Sequence, residues 1–351
     1  RTAKDPAGWR AQAAQVDRQV TAPLMRDAPP GVSVRDIELP SASIAAMQAV
    51  HPGNQPQPGG QTQADDQAQT GGQTRPSGQT QPHGQTQADD QTRPTYPAFR
   101  IRLYQTDLPA PHGVLLWFFG GAFRQGNLDF PSVDIINRTR AHQAGLTVVG
   151  VEYSLSPEQR YPVAISQGHA ALIWLNRHAT SLGLDPERIA IGGASSGANL
   201  AAAVALMNRD LTALPLRLLL LEVPTLDLTG GHLSRGVAWR SGLPPFLVAR
   251  GLRSIALDYL GDADLADQPY ASPLLAPDLT GLPPTHILTA GCDILSGDGV
   301  AYARRLTQAG VKAQLHQFAG LGHESSFLTA VSEPAQRWQS EVISILRSSL
   351  S

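Results

Sequence analysis

Ser195 lies in Gly193-Ala194-Ser195-Ser196-Gly197, a G-x-S-x-G string. It separates Arg188-Ile-Ala-Ile-Gly-Gly193, which reads as a short strand, from an Ala/Leu-rich stretch, Asn199 to Met207, which reads as a helix. A sharp strand-to-helix turn presents the serine hydroxyl above a sheet, and flanking glycines remove side chains that would collide where strand and helix approach. The bare string is weak, so this context carries the reading; the alternative is a tight turn with small residues for packing. Serine is a poor nucleophile until a base takes its proton, so the chemistry, acyl transfer, demands a histidine and an acid to orient it. Asp293 and His323 follow in the chain, each just beyond a predicted strand, Thr285 to Ala290 and Lys312 to Phe318. Open α/β sheets build their sites at that strand edge, and one helix plus one strand between the two returns the chain to it. Asp298 is a rival acid, but its place at the start of a helix suits an N-terminal cap. Asp293 is preferred.

The tetrahedral intermediate of acyl transfer needs hydrogen-bond donors for its oxyanion. Gly120, Gly121 and Ala122 end the apolar run His112 to Phe119, and they can aim backbone N–H groups at a carbonyl, joined by the N–H of Ser196. The alternative is a glycine turn ending a strand. Other histidines are less promising: His51 and His83 lie in or beside a polar tract, and His142, His169 and His178 fall in predicted helices. No histidine pair has metal-ligand spacing with a third ligand, and no G-x-x-x-x-G-K string is present, so metal and nucleotide chemistry are disfavoured.

These residues need a scaffold. Ala7 to Met25 reads as helix and Val32 to Leu39 as an alternating strand; Phe99 to Tyr104 is a second strand. The run ending at Phe119 has the pattern of a central strand buried on both faces. Strand Leu146 to Tyr153, a helix near Ile165 to His178, the Ser195 strand and helix, and strand Leu216 to Val223 then alternate. After an excursion from Pro224 to Pro284 come strand Thr285 to Ala290, a helix over Val300 to Ala309, strand Lys312 to Phe318 and a last helix to Leu350. The pattern predicts an α/β fold, a mostly parallel central sheet flanked by helices, with the excursion able to form a lid.

Residues 51–95 break the pattern. Gly60-Gln-Thr-Gln-Ala-Asp-Asp-Gln67 recurs as Gly84-Gln-Thr-Gln-Ala-Asp-Asp-Gln91, a low-complexity tract with almost nothing to bury, predicted as a disordered insertion. Setting it aside leaves about 300 residues, enough for one large α/β domain or two small ones. The 351 residues carry 27 Lys plus Arg against 29 Asp plus Glu, so charge gives no reason to expect nucleic acid or an anionic membrane as partner. No stretch reaches the roughly 18 apolar residues of a membrane span. The single cysteine, Cys292, excludes an intrachain disulfide and any multi-cysteine metal site and implies a reducing compartment or indifference to redox; a cytoplasmic location is the expectation. The chain begins at Arg1 rather than methionine, which fits a tag, a processed segment or a removed export signal.

Four blocks resemble the bacterial hormone-sensitive-lipase-like esterases, a branch of the α/β-hydrolases with a helical cap. Trp117-Phe-Phe-Gly-Gly-Ala-Phe123 is similar to the family's W/Y-F-H-G-G-G-F, and Val151-Glu-Tyr-Ser-Leu-Ser-Pro-Glu158 with Tyr161-Pro162 to its D-Y-R-L-A-P-E…F-P. Gly193-Ala-Ser-Ser-Gly-Ala-Asn-Leu200 is similar to G-D-S-A-G-G-N-L, and Ser272-Pro-Leu to Asp293-Ile-Leu295 follows S-P-L…D-P-L. Phe119 replaces a histidine, Ala122 a glycine, Ala194 an acid and Ser154 an arginine.

The resemblance implies Ser195, Asp293 and His323 as a triad, with Gly121, Ala122 and Ser196 as oxyanion donors beside Gly120. It also implies a cap from residues 1–50, which hold the first strand too, and from 224–270, over a core of 96–223 and 271–351. The activity implied is hydrolysis of short- to medium-chain carboxylic esters through an acyl-enzyme, without cofactor or metal, on a small-molecule ester as partner. A homodimer is compatible with it. The alternatives are an amidase or lactonase using the same triad, or a non-catalytic ligand-binding protein, motivated by Phe119 and Ala122. Trp239, Phe246 and Leu247 are candidate pocket walls or cap core.

Overall fold

The computed structural model describes residues 5–43, 95–107, 109–110, 112–240, 242 and 244–351. Arg1–Ser41 and Tyr96–Ser351 make up one compact unit, treated below; of the second, Ala42–Thr95, only residues 42, 43 and 95 are described. Residues 51–94 of the predicted insertion thus lie outside the described residues.

Eight strands form one sheet: β1 (Ser33–Leu39), β2 (Phe99–Gln105), β3 (His112–Phe118), β4 (Thr147–Val151), β5 (Leu184–Ala194), β6 (Leu218–Glu222), β7 (Thr285–Ala290) and β8 (Ala313–Phe318). Their order is β1-β2-β4-β3-β5-β6-β7-β8. β2 runs antiparallel to both its neighbours, and the ladders from β4 through β8 are parallel. Parallel strands covered on both faces must be apolar throughout, and Val114 to Phe118 are at most 3% exposed. Among the described residues the longer helices are α1 (Pro6–Val16), α2 (Pro131–Ala144), α3 (Val163–His178), α4 (Ser196–Leu211), α5 (Arg235–Arg240), α6 (Pro245–Leu260), α7 (Ser296–Gln308) and α8 (Glu333–Leu350). None among the described residues is long and apolar enough to cross a membrane.

Side chains alternate across the pleat, and the two faces of the sheet meet different helices. Leu115 and Trp117 of β3 and Leu218 and Leu220 of β6 share a core with Ala141 of α2 and with Trp338, Val342 and Leu346 of α8. Phe118 points the other way, against Gly168 of α3, and α3 packs on α4. Glu222 continues the Leu218, Leu220 alternation onto the α2/α8 face.

The long helix expected over Ala7 to Met25 is shorter. α1 starts where Asp5 accepts the Gly8 N–H at 2.8 Å, with Pro6 in its first turn, and it passes after Val16 into a π turn, Asp17–Thr21, and a 3₁₀ turn, Ala22–Leu24. Asp17 is turned inward to accept the Ser132 N–H at 3.1 Å, and Pro23 lacks the N–H a continuing helix would need.

Candidate active site

Register decides what meets at the carboxyl edge of the sheet. Phe118 at the end of β3 pairs with Gly193 of β5, and Ala194 pairs with Glu222 of β6. The glycine turn after β3 therefore lies beside the turn that carries Ser195. That turn is sharp: Ser195 takes φ 54° and ψ −118°, a conformation that costs a residue with a side chain of order 1–3 kcal/mol. Its N–H donates to the Glu222 carbonyl at 2.9 Å, which anchors it. The glycines are obligatory for contact reasons. A Cβ on Gly193 would lie 2.2 Å from the Gly197 carbonyl oxygen, and one on Gly197 would lie 2.2 Å from that of Phe118.

The structure brings Ser195, His323 and Asp293 together. His323 Nδ1 lies 2.8 Å from Asp293 Oδ2 and donates its proton there, leaving Nε2 to accept from the Ser195 hydroxyl at 2.9 Å. The other Asp293 oxygen accepts the Leu295 N–H at 2.9 Å, so this carboxylate, 2% exposed, is fixed from both sides. Burial favours a neutral His323, but the hydrogen bond and charge of Asp293, with the charge of Glu324, outweigh it and hold the imidazole above its ordinary value.

Asp298 meets neither Ser195 nor His323, and it does not cap its own helix as the sequence reading expected. It is buried in the first turn of α7, where one oxygen accepts the N–H groups of Leu226 and Asp227 at 2.7 and 3.0 Å. Burial, opposed by those two bonds, pushes its carboxyl up to about 7.

After β3 the chain turns through Gly121 (φ 143°), Ala122 (φ 53°) and Phe123 (φ 60°). The backbone N–H groups of Gly120, Gly121, Ala122 and Ser196 have no acceptor among the described residues. Free donors on these two neighbouring turns are suited to a developing oxyanion. A cavity of about 660 Å³ opens beside Gly120, Gly121 and His323, walled by Trp9, Val16 and Val20 from the amino-terminal segment and by Phe327. That segment is fastened to the glycine turn. Arg10 donates to the carbonyls of Arg124 and Ser156 at 2.9 and 3.0 Å and pairs with Glu158, while the Arg124 guanidinium lies 5.2 Å from the Trp9 ring and donates to Asp258 of α6.

Trp239, Phe246 and Leu247 are neither walls of this cavity nor cap core. They are 69%, 71% and 51% exposed, and Trp239 and Phe246 border a separate surface groove. His169 is buried against Thr212, its pKa lowered to about 4 by burial, and His178 Nδ1 donates to the Trp174 carbonyl of its own helix. Cys292, beside Asp293, is exposed and unpaired. The sequence reading did not single out Arg140 and Glu222, which form a buried ion pair at the cavity wall. The available signal was a lone Glu closing the run Leu218-Leu-Leu-Leu-Glu222.

Residues 115–327 match the alpha/beta hydrolase fold family. The chain is 38% identical over 205 residues to Carboxylesterase NlhH of Mycobacterium tuberculosis, a stretch that spans 58% of this chain and 63% of that protein, less than two thirds of its length. It is 35% identical over 257 residues to Ethyl acetate hydrolase of Pseudomonas putida, covering 71% of this chain and 78% of that one. A hyperthermophilic esterase from the archaeon Pyrobaculum calidifontis has the same fold, with a TM-score of 0.76 at 24% identity over 99% of this chain and 92% of that one. The sheet order, the turn at Ser195 and these matches together establish that the chain belongs to the α/β-hydrolase family, in its hormone-sensitive-lipase-like branch.

Proposed function

We propose that this protein is a serine carboxylesterase that hydrolyses small esters with short to medium acyl chains. The observation that carries the reading is the continuous hydrogen-bonded series Ser195, His323, Asp293, with His323 facing a cavity that Gly120 and Gly121 also line. Ser195 attacks the ester carbonyl as His323 Nε2 takes its proton. Asp293 holds the Nδ1–H tautomer and stabilises the positive ring. The N–H groups of Gly120, Gly121, Ala122 and Ser196 receive the oxyanion, the alcohol leaves with the proton from His323, and water then repeats the sequence on the acyl-enzyme. The names of the relatives in M. tuberculosis and P. putida support an ester as substrate. A cavity near 660 Å³ falls in the range of roughly 300–1,000 Å³ typical of small-molecule sites.

In the same reading α1 and the α5–α6 pair act as the cap, supported by the bonds from Arg10 and Arg124. A cytoplasmic setting is supported by the single, unpaired Cys292, and sedimentation distinguishes a homodimer from a monomer. The test is hydrolysis of p-nitrophenyl esters from acetate to laurate by the wild type, Ser195→Ala and His323→Ala. Turnover lost in both variants is expected. A folded wild type that turns over no ester but binds one would make it a ligand-binding protein, and p-nitroanilides and lactones in the same panel separate the amidase and lactonase alternatives.

A further inference from the structure

Glu324 follows His323 directly and takes φ 58° and ψ 3°, the left-handed region that a residue with a side chain seldom enters. Its carboxylate reaches the nucleophile's turn. A Cβ built on Gly120 would lie 2.7 Å from Glu324 Oε1 and 3.4 Å from the Ser195 Cβ, so the carboxylate and Ser195 border the same slot, left open by the missing side chain of Gly120. Glu324 also lines the cavity that His323, Gly120 and Gly121 line. It is half-buried, and neither of its oxygens is closed off from solvent.

The other charges on this cavity are compensated. Arg140 pairs with Glu222 and Arg124 with Asp258, and Asp17 accepts the Ser132 N–H at the start of α2, where a helix favours negative charge. Among the described residues Glu324 alone of the carboxylates lining the cavity has no hydrogen-bond or ion-pair partner. Its position works against a neutral substrate. Acyl transfer builds an oxyanion at the Gly120-Gly121 turn, and a second negative charge beside that turn raises its energy. A positive charge carried by the substrate supplies Glu324 with a partner and offsets the repulsion. The walls suit such a group. Phe327, whose N–H donates to the Glu324 carbonyl at 3.2 Å, and Phe130 both line the cavity with no ring partner among the described residues, and an aromatic face attracts a cation.

We propose that Glu324 is a specificity residue that recognises a positively charged group, a quaternary or protonated ammonium, carried by the substrate close to its scissile ester. This deepens the esterase reading and rests on it. The enzyme then selects esters of amino alcohols or amino acids over neutral esters of the same shape.

The experiment uses two series, one with the cation on the alcohol side and one with it on the acyl side. Choline esters are compared with their neutral isosteres, in which tert-butyl replaces trimethylammonium, and p-nitrophenyl esters of trimethylammonio-alkanoic acids with those of the matching tert-butyl acids. Half-esters of dicarboxylic acids are the anionic control. Each kcat/KM is taken on the alkaline plateau of the enzyme's pH profile, where His323 is neutral, and is divided by the ester's own rate with hydroxide. The enzymes are the wild type, Glu324→Gln, which removes the charge and keeps the shape, and Glu324→Gly, which suits the positive φ and keeps the proposal testable if the glutamine variant does not fold. In at least one series the wild type should prefer the cationic ester by about tenfold. That ratio should fall to about one in both variants. Parity in the wild type in both series overturns the inference, and preference for the half-esters overturns the cationic class. An equal change on charged and neutral esters in the variants also overturns it, since Glu324 would then act only through His323. Absence of turnover on every ester by folded wild type overturns the esterase reading and this inference with it; turnover without the preference overturns the inference alone.

Discussion

The hydroxyl of Tyr153 donates to the carbonyl of Phe119 at 2.9 Å, and the two rings stack with centroids 4.5 Å apart. Phe119 stands where the resemblance to the family implied a histidine, immediately before the turn that bears the free N–H groups. Both rings are buried, so ring packing and a single hydrogen bond hold the root of this turn in place of a polar side chain. Tyr153→Phe keeps the stack and removes the bond. The expected result is a loss of roughly 1 kcal/mol in stability and up to about tenfold in kcat/KM, read by thermal unfolding and ester hydrolysis.

Asp293→Asn should fold and lose about 10³–10⁴-fold in kcat, because an amide cannot hold the Nδ1–H tautomer or stabilise a positive ring. Steady-state hydrolysis of p-nitrophenyl acetate checks it. Retention of more than about a tenth of wild-type kcat would mean that another acid serves His323.

The pH profile should show the raised His323 pKa. Only the neutral ring can accept the Ser195 proton, so kcat/KM falls as pH drops through a value above 6.5. Glu324→Gln removes one of the charges that raise this pKa, behind the larger effect of Asp293. The acid limb of the variant should move to lower pH. An unmoved limb would show that the Glu324 charge is not felt at the ring.

Asp298 gives a stability prediction with the opposite partner. Its carboxyl is raised to about 7 in the fold, against 3.8 for the ordinary group, so its contribution is fully present below about 4 and is lost as pH rises toward 7. Asp298→Asn stays neutral and keeps an oxygen for Leu226 and Asp227. Relative to wild type, the variant should gain in urea midpoint at about pH 8 and lose that advantage near pH 5. A difference that does not vary with pH would assign Asp298 an ordinary pKa.

Gly121→Ala should cripple the enzyme. Its φ of 143° disfavours any side chain, and an added Cβ would lie 1.9 Å from the Gln125 carbonyl oxygen, so the turn must move. A fall of at least about a hundredfold in kcat is expected, with substrate KM changed far less, because the lost donors act on the transition state. Wild-type kcat in a folded variant would remove this turn from the oxyanion site.

By itself the sequence determined the alternation of strands and helices, the glycine-flanked turn at Ser195, and the chain order of serine, acid and histidine. Those features are local: they follow from side-chain periods of two and 3.6 residues and from backbone contact at Gly193 and Gly197. The tertiary structure decided between Asp293 and Asp298, five positions apart in the chain, by turning one toward His323 and the other toward the N–H groups of Leu226 and Asp227. It also broke the first helix at Asp17, exposed Trp239, Phe246 and Leu247, and set Arg140 against Glu222 across 82 positions of chain. Burial and charge pairing depend on what faces a residue across space, and no spacing along the chain encodes that.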